Sequence, residues 1–281
     1  MKVTIGAHLP IAGGIDSSID RADELEFKTF QIFTRSPRGW GYPPINRADE
    51  FKRKRGDRFV SINSHMPYLP NLASPKDDIF EKSIASLSEE IRRAEQLHLD
   101  FIVAHVGSHL GKGIDYGKRR VVTCLRKALG SMTGGTMVLL ENMAGQANSV
   151  GSRFEDIGWI INEVGDERVG LVLDTCHAYA AGYDLALDKG LLSMIEDIDR
   201  FIGLKRFRLI HLNDSMKGLG SGLDRHARIG RGFIGRKGFG VFLNNEIIQQ
   251  RPMILETPVS DYHEYIDEKR TAEELVLKSI K

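Results

Sequence analysis

Phe101-Ile102-Val103-Ala104-His105 is an unbroken apolar run that ends on an ionisable side chain. A strand built this way must be covered on both faces, which favours parallel pairing in a sheet flanked by helices. The pattern recurs in both directions. Val3–His8, Thr29–Thr34 and Phe59–His65 precede the run, and Thr136–Glu141, Val169–Asp174, Phe207–His211 and Pro252–Glu256 follow it, making eight. Helical periodicity fills the gaps, most clearly over 76–97, where Ile79, Ile84, Leu87, Ile91 and Ala94 share one face. Further helices are predicted over 117–129, 153–164, 187–202, 235–249 and 261–278. Strict alternation over eight units predicts an α/β TIM (β/α)8 barrel with its active site at the C-terminal ends of the strands. A doubly wound open sheet competes, but the first strand is followed only by Gly13-Gly14 and not by a Gly-x-Gly-x-x-Gly turn.

The length of 281 residues fits one such barrel, and no break in composition marks a second domain, so residues 1–281 are expected to form one unit. With 41% hydrophobic and 27% charged residues the chain can bury a core, and wholesale disorder is excluded. Lys and Arg outnumber Asp and Glu by 39 to 38, so any polyanion binding must come from local clustering of cations. Two cysteines, Cys124 and Cys176, cannot build a disulfide framework or a four-thiolate zinc site. No run approaches a membrane span, and Met1 to His8 lacks the regions of a signal peptide. A cytoplasmic protein without membrane partners is expected.

Ionisable residues gather where the strands end. His8, His65, His105, Glu141, Asp174, His211 and Glu256 close seven of the eight runs. His177 follows Asp174 by three positions, and Asp224 and His226 lie in the loop after His211. Any one of these alone reads as a solvated strand end. Together they converge on one cup, where carboxylates and imidazoles face each other undersatisfied unless cations lie between them. Imidazole plus carboxylate is the donor set of zinc, manganese or iron. Excluding His8, nine candidates supply three sites of three ligands, or two with spare groups. Three divalent ions would outweigh the four carboxylates by about two charges, which suits an anionic centre such as phosphate.

The motifs resemble those of the endonuclease IV family nearly end to end. They include Gly6-Ala7-His8, Phe33-Thr34-Arg35 through Arg38 and Trp40, His65-Met66-Pro67-Tyr68-Leu69, and Gly107-Ser108-His109. Glu141-Asn142, Asp174-Thr175-Cys176-His177-Ala178, His211-Leu212-Asn213-Asp214, Asp224-Arg225-His226 and Leu255-Glu256-Thr257 complete the set. The resemblance implies three zinc ions, with manganese an alternative at one site. His65, His105 and Glu141 would hold the first. Glu141 would bridge to a second, shared with Asp174, His211 and Glu256, and His177, Asp224 and His226 would hold the third. Glu141 would also orient the nucleophile. His8, His109 and Asn213 would stand behind the ligands.

The implied reaction is hydrolysis of duplex DNA 5′ to a baseless sugar, leaving a 3′-hydroxyl, with trimming of blocked 3′ ends, by a monomer. Arg38, Tyr68 and Leu69 would fill the gap left by the missing base, with Arg35, Lys112 and Lys217 as phosphate contacts. The runs Lys52–Arg55 and Lys118–Arg120 read as solvated helix faces. Val106, Met216, Gly222 and Arg231 depart from the family pattern, the last three in the 214–233 loop. Two rivals remain: a metal-dependent sugar isomerase or epimerase on the same barrel, which has no use for the third ligand group, and a DNA-damage binder without catalysis.

Overall fold

The computed structural model describes residues 3–130 and 132–277. In chain order the first half holds β1 (Ile5–Ala7), α1 (Ser17–Glu24), β2 (Thr29–Ile32), α2 (Ala48–Arg55), β3 (Ser61–His65), α3 (Asp77–Leu97), β4 (Phe101–His105) and α4 (Ile114–Leu129). Then come β5 (Met137–Glu141), α5 (Phe154–Val164), β6 (Val169–Asp174), α6 (Thr175–Ala180), α7 (Asp188–Phe201) and β7 (Phe207–His211). The last part holds β8 (Asp214–Ser215), β9 (His226–Ala227), α8 (Gly235–Leu243), α9 (Glu246–Gln249), β10 (Met253–Leu255) and α10 (Tyr265–Leu277).

Eight of these strands pair in parallel in the order β1-β10-β7-β6-β5-β4-β3-β2. The ring closes between β1 and β2 through a single bridge, His8 to Gln31, and the Leu9 N–H donates to the Gln31 carbonyl at 2.8 Å. This is the TIM barrel that the alternation predicts. Among the described residues, no helix is long and apolar enough to cross a membrane.

The seam depends on one glycine. A Cβ on Gly6 would lie 1.7 Å from the Thr29 carbonyl oxygen, so β1 reaches β2 only without a side chain there. Gly6→Ala must push a backbone away and is expected to destabilise the chain by roughly 3 kcal/mol or more, the upper end of overpacking costs. A urea midpoint within error of wild type would contradict this.

Two predicted helices are subdivided. The stretch 235–249 breaks at Asn244-Asn245, where the Asn245 carboxamide oxygen accepts from the N–H groups of Ile247 and Ile248 and starts α9 afresh. Side-chain acceptors of this kind compete with helix continuation. The stretch 261–278 opens with a capping box between Asp261 and Glu264 and a 3₁₀ turn before α10; Lys278 lies outside the described residues. By contrast α3 ends at Leu97 as predicted, with His98 left-handed at φ 55°.

Candidate metal centre

Strand periodicity aims the ligands. Phe101, Val103, Leu139, Val172, Leu209 and Ile254 form a cluster separate from the helix-covered core. Because side chains alternate across a strand, the residue two positions later points the same way. Val103 is followed by His105, Leu139 by Glu141, Val172 by Asp174, Leu209 by His211 and Ile254 by Glu256. An apolar floor thus lies under a ring of candidate ligands at the C-terminal mouth. The register sets His105 beside Glu141 and Asp174 beside His211.

Glu141 stands at the centre. Its Oε2 lies 3.3 Å from His65 Nε2 and 3.2 Å from His105 Nε2. Its Oε1 lies 3.2 Å from His177 Nδ1 and 3.4 Å from His211 Nδ1. Burial pushes the Glu141 carboxyl up, but His105, His211 and His177 reverse this and hold it well below the usual range. Likewise burial pulls the His211 imidazole down, and Glu256 and Glu141 outweigh it, leaving it well above its ordinary value. Asp174, Asp224 and Glu141 do the same for His177. For His226, Asp174 and Asp224 overcome burial and raise the pKa to about 9.

Asp224 and His226 arrive from the loop after β7. The Asp214 carboxylate folds that loop back by accepting the N–H groups of Ser215, Gly232 and Ile234. A Cβ on Gly232 would sit 2.3 Å from the Ser215 carbonyl oxygen, which explains the glycine beside this carboxylate. The loop then pairs β8 with β9 and delivers His226. His177 comes from α6, a helix absent from the sequence reading. Asp174 caps it by accepting the His177 N–H at 2.7 Å.

A divalent metal fits this donor set. Two ligand atoms on a tetrahedral zinc at ~2.05 Å stand about 3.3 Å apart. The pairs of Glu141 with His65, His105 and His211 fall at this spacing, as do His177 Nε2 to Asp224 Oδ2 and His226 Nε2 to Asp224 Oδ1, both 3.2 Å, and His211 Nδ1 to Glu256 Oε2, 3.1 Å. His177 Nε2, His211 Nδ1 and His226 Nε2 are buried without a hydrogen-bond partner. The other ring nitrogens face acceptors: Asn142 O for His177, Gln31 Oε1 for His211 and Glu256 O for His226. In His65 the outer nitrogen faces Met66 O at 2.6 Å. Such contacts fix the tautomer and leave the inner lone pair for a metal. Ligand atoms lie within 4.8 Å of one another in the groups His65-His105-Glu141, Glu141-Asp174-His211-Glu256 and Asp174-His177-His226. Cys176 joins Asp224 and His226 in a fourth such group, a neighbour the sequence reading did not include. Burial pushes its thiol up to about 12, which keeps it protonated.

Residues 19–280 match a family model described as "Xylose isomerase-like TIM barrel". The chain is 42% identical over 277 residues to "Probable endonuclease 4" of Nitrosopumilus maritimus, covering 96% of this chain and 99% of the relative. The namesake from Halothermothrix orenii is 42% identical over 258 residues, covering 90% and 93%. Endonuclease IV from Thermus thermophilus superposes with a TM-score of 0.83 at 34% identity, covering 99% of this chain and 98% of that one. The chain belongs to the endonuclease IV family. A D-tagatose 3-epimerase-like protein, 18% identical with a TM-score of 0.71, shares the fold alone.

The rim of this family member carries exposed side chains. Tyr68 is 61% exposed and Leu69 39%, with the Tyr68 ring 6.0 Å from that of His65 and 6.4 Å from that of His105. Arg38, Lys112 and Lys217 are exposed on mouth loops. Arg35 corrects the expectation of a phosphate contact. It is 3% exposed, and its guanidinium donates to Gly39 O and Ser86 Oγ beside the buried Glu90. It pins the loop carrying Arg38, as Arg93 does through Pro43 O. His109 is also reassigned: its Nδ1 accepts from Gly111 and Gly113 N–H, so it shapes its own loop instead of backing a ligand. Asn213 donates to Asp174 Oδ2 at 2.6 Å and accepts from Glu256 N–H at 3.0 Å, so it touches two of the candidate ligands. His8 Nδ1 lies 3.6 Å from Glu256 Oε1. Sequence reading missed Gln31, Asn142 and Asp214, because amides and buried acids carry no local signature of such roles.

Proposed function

We infer that this chain cleaves duplex DNA on the 5′ side of abasic sites and trims blocked 3′ ends, using three zinc ions. His65, His105 and Glu141 would hold one, Glu141 with Asp174, His211 and Glu256 a second, and His177, Asp224 and His226 the third. Bound divalent ions supply a water of lowered pKa and positive charge for the phosphate and its leaving oxygen. The division of Glu141 carries the reading: one oxygen faces His65 and His105, the other His211. An isomerase or epimerase working at one or two metals has no use for a third imidazole–acid set, and His177 Nε2 and His226 Nε2 each lie 3.2 Å from an Asp224 oxygen. Manganese at one site keeps the same ligands.

The protein residues position and exclude. Glu141, with its carboxyl held ionised, accepts a hydrogen bond from the attacking water and orients it. Tyr68, Leu69 and Arg38 enter the space vacated by the base, where unstacking costs least. Lys217 and Lys112 meet phosphates on the rim. Every group in this scheme comes from one chain, so the scheme needs no second subunit.

A duplex with one tetrahydrofuran abasic analogue tests the proposal. Incision immediately 5′ to the analogue, abolished by chelator and restored by zinc, is expected; binding without incision would favour the damage-binder reading and sink this one. Tyr68→Ala should slow incision of that duplex roughly tenfold or more, from a stacking contribution of about 1–3 kcal/mol. Hydrolysis of a small phosphodiester should change little. Equal losses on both substrates would remove Tyr68 from damage recognition.

A further inference from the structure

β2 ends without an ionisable residue, yet its Gln31 is fully buried and reaches three residues of the cup. Its Nε2 lies 2.6 Å from Glu256 Oε1 and 3.1 Å from His8 Nδ1. Its Oε1 lies 3.0 Å from His211 Nε2. The chemistry of the partners allows one orientation of the amide. An ionised carboxylate only accepts, so the group against Glu256 must be the NH2. The carbonyl oxygen then faces His211 and must accept from Nε2–H. In the neutral imidazole that leaves the lone pair on His211 Nδ1, the buried nitrogen without a partner, 3.1 Å from Glu256 Oε2 and 3.4 Å from Glu141 Oε1. The second N–H of the amide meets His8 Nδ1, which puts the His8 proton on Nε2.

We propose that Gln31 is a positioning residue that selects Nδ1 of His211 and Oε2 of Glu256 as metal ligands. The inference rests on the metal reading above. A flipped amide would set its NH2 against His211 Nε2 and its oxygen against a carboxylate, and the proton would move to Nδ1, closing the site. The backbone of Gln31 meanwhile holds the barrel seam through Leu9 and is untouched by a side-chain change. Geometry therefore separates the two roles of this residue.

Gln31→Met keeps the length and volume of the side chain but neither donates nor accepts. The chelator-treated full chain is titrated with cobalt(II), followed by visible absorption and by competition with a chromophoric chelator. Loss of a partner behind a ligand typically weakens binding 10–100-fold. We expect one cobalt equivalent to weaken by roughly that factor, with altered d–d bands, while the remaining equivalents bind as in wild type. Gln31→Leu should behave alike. Titrations superimposable on wild type overturn the proposal, as does an equal weakening of every cobalt equivalent in both variants, which would make Gln31 a packing residue. Wild type that takes up no cobalt would instead overturn the metal reading itself, before any variant is compared.

Discussion

Glu141→Gln is expected to lower incision of an abasic duplex by roughly 10³-fold or more, the scale of several kcal/mol of charge stabilisation at a metal centre. The carboxylate has two equivalent oxygens, and each faces two imidazole nitrogens at 3.2–3.4 Å. Glutamine keeps the volume and one oxygen. Its NH2, however, would point either at His65 and His105 Nε2 or at His211 Nδ1, whose lone pairs the proposed metals need, and it cannot join two ligand groups. The side chain stands above Leu139 on the barrel floor, so an isosteric change leaves the packing beneath it intact. Circular dichroism of the variant should match wild type. Initial rates within tenfold of wild type would show that Glu141 does not link the two groups.

Metal loading releases protons and tightens as pH rises. In the metal-free chain the surrounding carboxylates outweigh burial and raise the pKa of His177, His211 and His226, the last to about 9. At pH 7 these imidazoles carry protons that a metal must displace, on the order of three per chain. The sign for stability follows from linkage. A histidine with a raised folded pKa contributes stability that is fully present below its ordinary value and is lost as pH climbs through the raised one. The metal-free chain therefore weakens between pH 7 and 9, while the metal-loaded chain, with neutral imidazoles, does not. At a thousandfold excess over Kd one ion adds about 4 kcal/mol, or roughly 8–16 °C in Tm for a chain of this class. The Tm gap between loaded and chelated protein should widen from pH 6 to pH 9. A gap that stays constant or narrows would contradict these ionisation states; calorimetry in buffers of different ionisation enthalpy counts the protons directly.

The amino-acid order by itself determined the barrel and most of the cup. Strands covered on both faces read as continuous apolar runs, and a period of two carries an inward Val103 or Leu139 to an inward His105 or Glu141, so backbone geometry alone converts spacing into convergence. Packing decided the rest. Arg35 looks like a free loop cation in the sequence, and only α3 folding against it, with Glu90 and Ser86, consumes its guanidinium. Gln31, Asn142 and Asp214 are distant in sequence from the groups they orient, and hydrogen-bond direction is set by partners that no local pattern names. Which ring nitrogen of each histidine faces the cup is likewise a tertiary matter, because it depends on what the opposite nitrogen touches.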